Sequence, residues 1–407
     1  MSRAWLVVGL LWVVACLNYL ARVMLTTMHG SIVAAIPMSE AEFGLLTSVF
    51  LWVYGLLSPL AGFVSDRLGR KRVIVTSLLI WSAITWLTAY ARNFPELLVM
   101  RALMGVSECC YFPAALALIT EYHPGPTQSR AVGLHMTGLL AGAALGGLGG
   151  WLAEMRGWNF SFSLVGGLGM LYGLILAVLL RDAPAPRKEI AAASGRAPEI
   201  RLSRALSSLL GSRPFWLVLT FCAIQGAVGY AVVGWMPTYL QEHFHLHQGA
   251  AGLSATGYRY LTELAGVAIG GFWADRWSRT QARAPIYVLA IGVSAAIPGV
   301  FLAGTSGLVV FAILGLMLWG LASGFADCNL MPVICLTTDR RYRATAYGVT
   351  NLAAAVAGGL AVYGAGLWRD RQFDFGRILV MASIALLLCP ALLLWIRTAP
   401  AKGNSPP

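Results

Sequence analysis

Twelve apolar stretches of membrane-spanning length, parted by short polar turns, leave this 407-residue chain few folds to choose from. They run approximately over 4–27, 41–64, 72–91, 95–121, 130–153, 159–180, 214–240, 248–273, 284–303, 307–336, 344–367 and 375–396. Each approaches or exceeds the roughly 20 apolar residues that a helix needs to cross a bilayer. In lipid every backbone polar group needs an internal partner, and no alternating apolar–polar pattern is present, so these are helices and not barrel strands. Only 11% of the residues are charged, against roughly 25% in soluble domains. The expected fold is an all-α membrane protein of about 12 transmembrane helices.

A net charge of +12 invites a nucleic-acid reading, but the placement of the charges argues against it. With both termini in the cytoplasm, five of the 29 basic residues fall outside (Arg92, Arg156, Arg369, Arg371, Arg377) and three fall within spans. The other 21 are cytoplasmic, which is the positive-inside pattern. No nucleic-acid partner is expected; the partner of this surface is the lipid bilayer. The first stretch lacks a small-residue cleavage site and keeps Asn18 and Arg22 within it, so it reads as a retained helix and not a signal peptide. All seven cysteines lie in spans without a CxxC spacing, which makes them packing residues; no metal site is expected, and the alternating His243, His245 and His247 belong to an external loop, as does His29.

The only long polar stretch, 182–212, divides the chain into an N-terminal six-helix bundle (1–181) and a C-terminal one (213–398), followed by a tail (399–407). It reads as a cytoplasmic linker carrying a short surface helix near 201–209. The two halves echo each other. Gly62-Phe-Val-Ser-Asp66-Arg67-Leu-Gly-Arg70-Lys71-Arg72 returns as Gly271-Phe-Trp-Ala-Asp275-Arg276-Trp-Ser-Arg279. Gly105, Glu108, Cys109 and Pro113 in the fourth span return at the same spacing as Gly324, Asp327, Cys328 and Pro332 in the tenth. Arg130 opens the fifth span and Arg343 the eleventh. Internal repeats of this kind build a central site between two halves that exchange contacts.

At these residues the chain resembles the major facilitator superfamily. The turn Gly62…Asp66-Arg67…Gly69-Arg70-Lys71 is similar to that superfamily's signature between its second and third helices. Asn18-Tyr19-Leu20-Ala21-Arg22, Arg101…Gly105…Glu108…Phe112-Pro113 and Trp235-Met236-Pro237-Thr238-Tyr239-Leu240 resemble the anion:cation symporter branch, with sialin-like and sugar-acid transporters; the first two also resemble spinster-type lipid transporters. The branch's first-span motif has an acid ahead of the arginine where this chain has Ala21. The resemblance implies two pseudo-symmetric six-helix bundles, an anion held by Arg22, a proton taken by the acid at 108, and a gate latched by the repeated turn.

Six ionisable residues lie well inside spans: Arg22, Arg101, Glu108, Arg259, Glu263 and Asp327. Each costs roughly 2.5–3.5 kcal/mol at a helix centre on insertion scales, so a water-filled, mutually compensated centre is expected. Asn18, Arg22 and Thr26 are spaced to share one helix face. A guanidinium there offers a fork for an oxyanion, or a structural partner for Glu108. Arg101 and Glu108 are two turns apart in the fourth span; a carboxyl in such a cavity is a credible proton carrier near neutral pH, and a nearby arginine would modulate it. Arg259 and Glu263 are spaced i, i+4 for an intrahelical ion pair. Asp327 reads as a second proton site or as a partner for one of the arginines. Tyr54, Gln225 and Asn351 complete the expected substrate cavity.

Asp66 and Asp275 end the second and eighth spans, where an acid meets the positive N-terminus of a helix from the opposite bundle, worth roughly 0.3–1 kcal/mol when exposed. Gly62, Asp66, Arg67, Arg70, Asp275, Arg276, Arg130 and Arg343 are therefore the expected gating set. The leading expectation is a monomeric, proton-coupled symporter of a small organic anion, a carboxylate or sugar acid, in a bacterial inner membrane. Having lost the first-span acid, it would move one proton with one monoanion electroneutrally. The alternatives are a spinster-like lysolipid transporter and a non-transporting receptor of the same fold. No nucleophile–base set, phosphate loop or metal set is present, so no enzyme activity is expected, and no cofactor beyond the coupling proton.

Overall fold

The computed structural model describes residues 3–123, 125, 127–183 and 202–396; the side chains of 59, 60, 62–67, 202, 340 and 344 lie outside that description. Among the described residues every regular element is a helix. The first half holds span 1 (Arg3–Thr27), span 2 (Glu40–Leu68), span 3 (Arg70–Thr88), span 4 (Phe94–Glu108 and Tyr111–Tyr122), span 5 (Gln128–Leu145 and Leu148–Arg156) and span 6 (Trp158–Leu179). The second holds span 7 (Arg213–His243), span 8 (Gln248–Leu253, a π turn Ser254–Tyr258, then Arg259–Ser278) and span 9 (Ala284–Thr305). It ends with span 10 (Val309–Thr337), span 11 (Arg343–Asp370) and span 12 (Phe375–Leu386 and Leu388–Leu394). Ten of these segments are long and apolar enough by themselves to cross a membrane. Spans 3 and 8, which begin on Arg70-Lys71-Arg72 or carry Arg259 and Glu263, complete the twelve.

Local chemistry sets the helix ends. Ser39 and Glu42 form a reciprocal capping box at span 2: Ser39 Oγ accepts from the Glu42 amide at 3.1 Å while Glu42 Oε2 accepts from the Ser39 amide at 2.8 Å. Asn93 caps span 4 through the Glu96 amide at 3.0 Å. Span 4 breaks at Cys109-Cys110 because Pro113 has no amide to give the Cys109 carbonyl and its ring crowds that group. The break falls immediately after Glu108. A short helix at Leu202–Leu210 stands where the linker was expected to hold one, while residues 184–201 and the tail beyond 396 lie outside the described residues.

Three helix pairings occur once in each half, each at glycines. Span 5 meets span 1 at Gly138, where a Cβ would sit 2.7 Å from the Trp12 carbonyl, and span 7 meets span 11 at Gly226, 2.5 Å from the Ala354 carbonyl. Span 6 meets span 3 at Gly166, 2.7 Å from Trp86 Cα, and span 9 meets span 12 at Gly304, 2.6 Å from Leu379 Cβ. Span 4 meets span 2 at Gly105, 3.0 Å from the Phe50 carbonyl, and span 10 meets span 8 at Gly324, 2.5 Å from the Val267 amide. The duplication legible in the Gly105 and Gly324 motifs is thus a duplication of packing.

The halves join on the face away from the chain termini, here the far face. Every hydrogen bond between them among the described residues lies at or beyond the helix midpoints toward that face. Ser48 Oγ donates to the Gly359 carbonyl at 2.7 Å, Thr256 Oγ1 to the Ala144 carbonyl at 2.9 Å, and Gln248 Nε2 to the Gly150 carbonyl at 3.2 Å. At the rim, Arg369 reaches Glu40 Oε2 at 3.0 Å and Glu242 Oε1 at 2.8 Å, while the Asp370 carboxylate accepts the amides of Glu40 and Ala41 at 2.7 and 3.0 Å. His29 opens a short helix (His29–Ala35) instead of lying in a loop, and its Nε2 meets Glu40 Oε2 at 3.1 Å. His247 Nδ1 likewise meets Glu154 Oε1 across the halves at 3.1 Å.

The terminal face is not joined in this way. Arg130, Asp275 and Arg276 are exposed there and make no hydrogen bond or ion pair among the described residues. Arg343 turns to the Cys335 carbonyl of its own half at 3.0 Å, and Arg70 Nε donates to Glu121 at 3.2 Å. The side chains of Gly62, Asp66 and Arg67 lie outside the described residues. Among the described residues, the expected latch between Asp275 and a helix N-terminus of the other half makes no contact.

Candidate functional site

Arg22 and Glu108 meet at the centre of the first half. The break after Glu108 and the packing of Gly105 onto span 2 set the carboxyl at the end of a helix segment, facing span 1. Arg22 Nη2 donates to Glu108 Oε2 at 2.8 Å and Nε to the same oxygen at 3.2 Å. Glu108 Oε1 has no partner and is buried. Asn18 Oδ1 accepts from Arg22 Nη2 at 3.4 Å, leaving Asn18 Nδ2 buried and unpartnered. The guanidinium lies against three rings, Tyr19 at 4.6 Å and Phe50 and Tyr54 at 4.7 Å each. Such stacking is worth about 2 kcal/mol when desolvated and holds the fork in one plane. The Arg22 side chain remains 13% exposed while that of Glu108 is 0% exposed, so the arginine is the member of the pair that an incoming solute reaches.

Thr26 adds no free hydroxyl to the face it shares with Asn18 and Arg22: it bonds back to the Val23 carbonyl at 2.9 Å and is buried. Arg101 does not pair with Glu108. Seven residues of helix rise about 10.5 Å, and the Arg101 side chain settles among Leu46, Met104 and Phe50: its Nε donates to the Leu46 carbonyl at 3.4 Å, and its guanidinium lies 4.9 Å from the Phe50 ring. Phe50 is thereby sandwiched between Arg101 and Arg22.

In the second half, Arg259 follows the π turn and its Nη2 lies 3.0 Å from Glu263 Oε2. Arg259 also lies 4.2 Å over the Tyr260 ring, and its Nε and Nη1 are buried without partners. π turns often mark functional positions. Asp327 stands in the place of Glu108, three residues after the glycine that packs on the neighbouring span, but it is exposed and makes no ion pair among the described residues. Gln225 Oε1 is buried and unpartnered, and Asn351 is exposed one turn from the exposed Tyr347. Tyr54 is half-buried beneath Arg22.

Tyr19, Tyr230 and Tyr260 escaped the sequence reading. Tyr19 of the first half and Tyr260 of the second belong to one apolar cluster with Val23 and Ala143, which links the ring under Arg22 to the ring under Arg259. The available signal was local: each tyrosine of that pair is a near neighbour in sequence of an intramembrane arginine. No group of three His, Cys, Asp or Glu side chains suited to a metal ion is found among the described residues.

Residues 11–362 match the family model described as Major Facilitator Superfamily. A probable sulfoacetate transporter of Cupriavidus necator is 24% identical over 416 aligned residues, which cover 95% of this chain and 94% of that protein. A D-galactonate transporter of Escherichia coli is 25% identical over 382 residues, covering 88% and 87%. Among solved structures, a bacterial homolog of the human lysosomal transporter spinster, inward-facing and unoccupied, superposes with a TM-score of 0.81 at 20% identity, covering 98% of this chain and all of that one. The family match spans both halves and the turn between spans 2 and 3, and this chain is a transporter, not an enzyme, of the major facilitator superfamily.

Proposed function

We propose that the protein is a proton-coupled symporter of a small organic anion, working by alternating access. The observation that carries this reading is the Arg22–Glu108 pair, in which a solute-accessible guanidinium is occupied by a buried carboxylate whose second oxygen is unpartnered. With Glu108 ionised, both of its contacts to Arg22 compete with any incoming oxyanion. A proton on Glu108 removes that charge and frees the Arg22 fork for the substrate's acid group. A hydrogen bond to a charged group contributes about 1.5–3 kcal/mol, so the exchange favours anion binding by about one to two orders of magnitude once the proton is aboard. Relatives named for sulfoacetate and galactonate support an acid as the cargo.

The far-face contacts then form the closed outer gate, and the terminal face, cytoplasmic by the distribution of basic residues, is the open side. Closing it would bring Asp66, Arg67, Asp275 and Arg276 against Arg130 and Arg343. The membrane is a bacterial inner membrane with both termini inside. A thermal-shift titration of the purified chain with sulfoacetate and D-galactonate, at acid and neutral pH, tests the reading. An acid should raise Tm, more at low pH, and Arg22→Lys should weaken it at least about tenfold by losing the two-pronged grip. A shift caused by lysolipids alone would favour a spinster-like cargo instead, and one untouched by Arg22→Lys would remove Arg22 from the site.

A further inference from the structure

Arg101 is a buried cation without an acid, and it stands two turns from a buried acid with a free oxygen. Among the described residues its contacts are the Leu46 carbonyl at 3.4 Å, Met104 Sδ at 3.1 Å and the Phe50 ring at 4.9 Å. Glu108 Oε1 is buried and has no partner. A buried charge left unpaired is costly, so the two groups gain by meeting. Something must hold them apart.

Helix geometry alone does not. Residues seven apart lie on nearly the same helix face, and the Cα–Cβ bond of Glu108 tilts toward the N-terminus of its helix, hence toward Arg101. Arg101 Nη1 already reaches Met104, which stands one turn before Glu108. About one further turn, roughly 5.4 Å, remains.

The obstacle is the Phe50 ring. It lies 4.9 Å from the Arg101 guanidinium and 4.7 Å from that of Arg22, and two guanidiniums so near the ring centre cannot share one face. Arg22 in turn holds Glu108 Oε2 at 2.8 Å. The order is therefore Arg101, Phe50, Arg22, Glu108. The ring is 1% exposed and braced: Tyr54 stacks on it at 5.9 Å, and Gly105 brings span 4 so near that a Cβ would sit 3.0 Å from the Phe50 carbonyl. The other titratable groups around Glu108 are Tyr19 of span 1 and Tyr54 of span 2, both against Arg22, and the adjoining Cys109, whose thiol goes to the Val106 carbonyl. Span 3 presents Ser77, bonded to the Ser107 carbonyl, and His135 of span 5 lies against the Tyr111 and Phe112 rings. None of them bonds Oε1.

We infer that Phe50 is a positioning residue for proton coupling: its ring bars Arg101 from Glu108 and so reserves Oε1 for the proton. This rests on the reading of Glu108 as the proton site and Arg22 as the anion site. Without the ring, Arg101 would take Oε1 and compete with the proton for it. The carboxylate would then stay on Arg22 at acid as well as neutral pH, and the anion would find the fork occupied at both.

Calorimetry on the purified full-length chain, with sulfoacetate and D-galactonate at acid and neutral pH, tests this. In wild type at least one of the two acids should bind about tenfold tighter at acid pH. Phe50→Leu keeps an apolar side chain but has no ring faces. It should bring that ratio to within about threefold by weakening binding at acid pH, and adding Arg101→Met to Phe50→Leu should restore the ratio. A wild-type ratio in Phe50→Leu overturns the inference. So does a lost ratio that Arg101→Met does not restore, because repacking or misfolding does not depend on the charge at 101. If Phe50→Leu does not fold, Phe50→Met is judged by the same criteria. Failure of the underlying reading looks different: wild type itself would bind neither acid, or bind it equally at both pH values, and the inference would fall with it.

Discussion

Gly366→Ala should open the far face without unfolding the protein. Gly366 lies on span 11, where a Cβ would sit 2.5 Å from the Glu40 carbonyl oxygen and 2.8 Å from Ala41 Cα, both on span 2 of the other half. Carbon contacts are favourable at about 3.5–4.0 Å, and the obstructing atoms are backbone atoms that cannot rotate away. Overpacking of this kind costs about 1–3 kcal/mol. That cost exists only while the halves touch at this face. The gain in helix propensity from glycine to alanine, about 1 kcal/mol, applies in every conformation and cancels. The ratio of closed to open far face should therefore fall by about 5- to 150-fold. Spin labels on Arg156→Cys and Gln372→Cys, one exposed position in each half, report the separation by pulsed electron resonance in a background lacking the native cysteines. Gly364→Ala is the control, since a Cβ there meets nothing within 4 Å. The label distance should lengthen in Gly366→Ala and not in Gly364→Ala. An unchanged distribution in Gly366→Ala would refute the claim that this crossing holds the far face shut.

Two further outcomes follow from the same architecture. Arg369→Ala leaves the Glu40 and Glu242 carboxylates without their shared cation and uncovers the Trp235 ring that Arg369 lies over at 5.0 Å; with each hydrogen bond to a charged group worth about 1.5–3 kcal/mol, the same label pair should report an opened far face, with transport slowed. Pro113→Ala restores the amide needed to continue span 4 through Cys109-Cys110, turning Glu108 away from Arg22; Tm should hold or rise while anion affinity at neutral pH rises about tenfold and loses its dependence on pH, and an unchanged affinity and pH dependence would show that the break does not position the carboxyl.

The helices were legible because membrane insertion depends on local hydropathy, and the six intramembrane charges because nothing else in those stretches resembles them. The Arg259–Glu263 pair was legible because both partners sit on one helix, four residues apart. Arg22–Glu108 was legible only as one of several pairings, since its members are 86 residues apart and only the packing of Gly105 on span 2 brings them together. Arg101 was legible as a neighbour of Glu108 on one helix, but not its contacts with Leu46 and Phe50, which lie on another span. The far-face network of His29, Glu40, Glu242 and Arg369 went unseen because its residues fall near turns, where charges ordinarily serve topology, and because its central contact, Arg369–Glu40, exists only between halves. Tyr19 and Tyr260 were hidden for the same reason, each reading as a packing aromatic until the halves are placed together.

The central claim is that one carboxyl, Glu108, links the proton to the anion held by Arg22. The most direct measurement compares two fluxes in liposomes carrying wild type or Glu108→Gln, using the acid identified by thermal shift. Wild type should accumulate it under an inward-directed proton gradient and also exchange it at equilibrium. Glu108→Gln, a permanently neutral mimic that leaves Arg22 free, should keep exchange and lose gradient-driven accumulation. Accumulation by Glu108→Gln at the wild-type level would contradict the account.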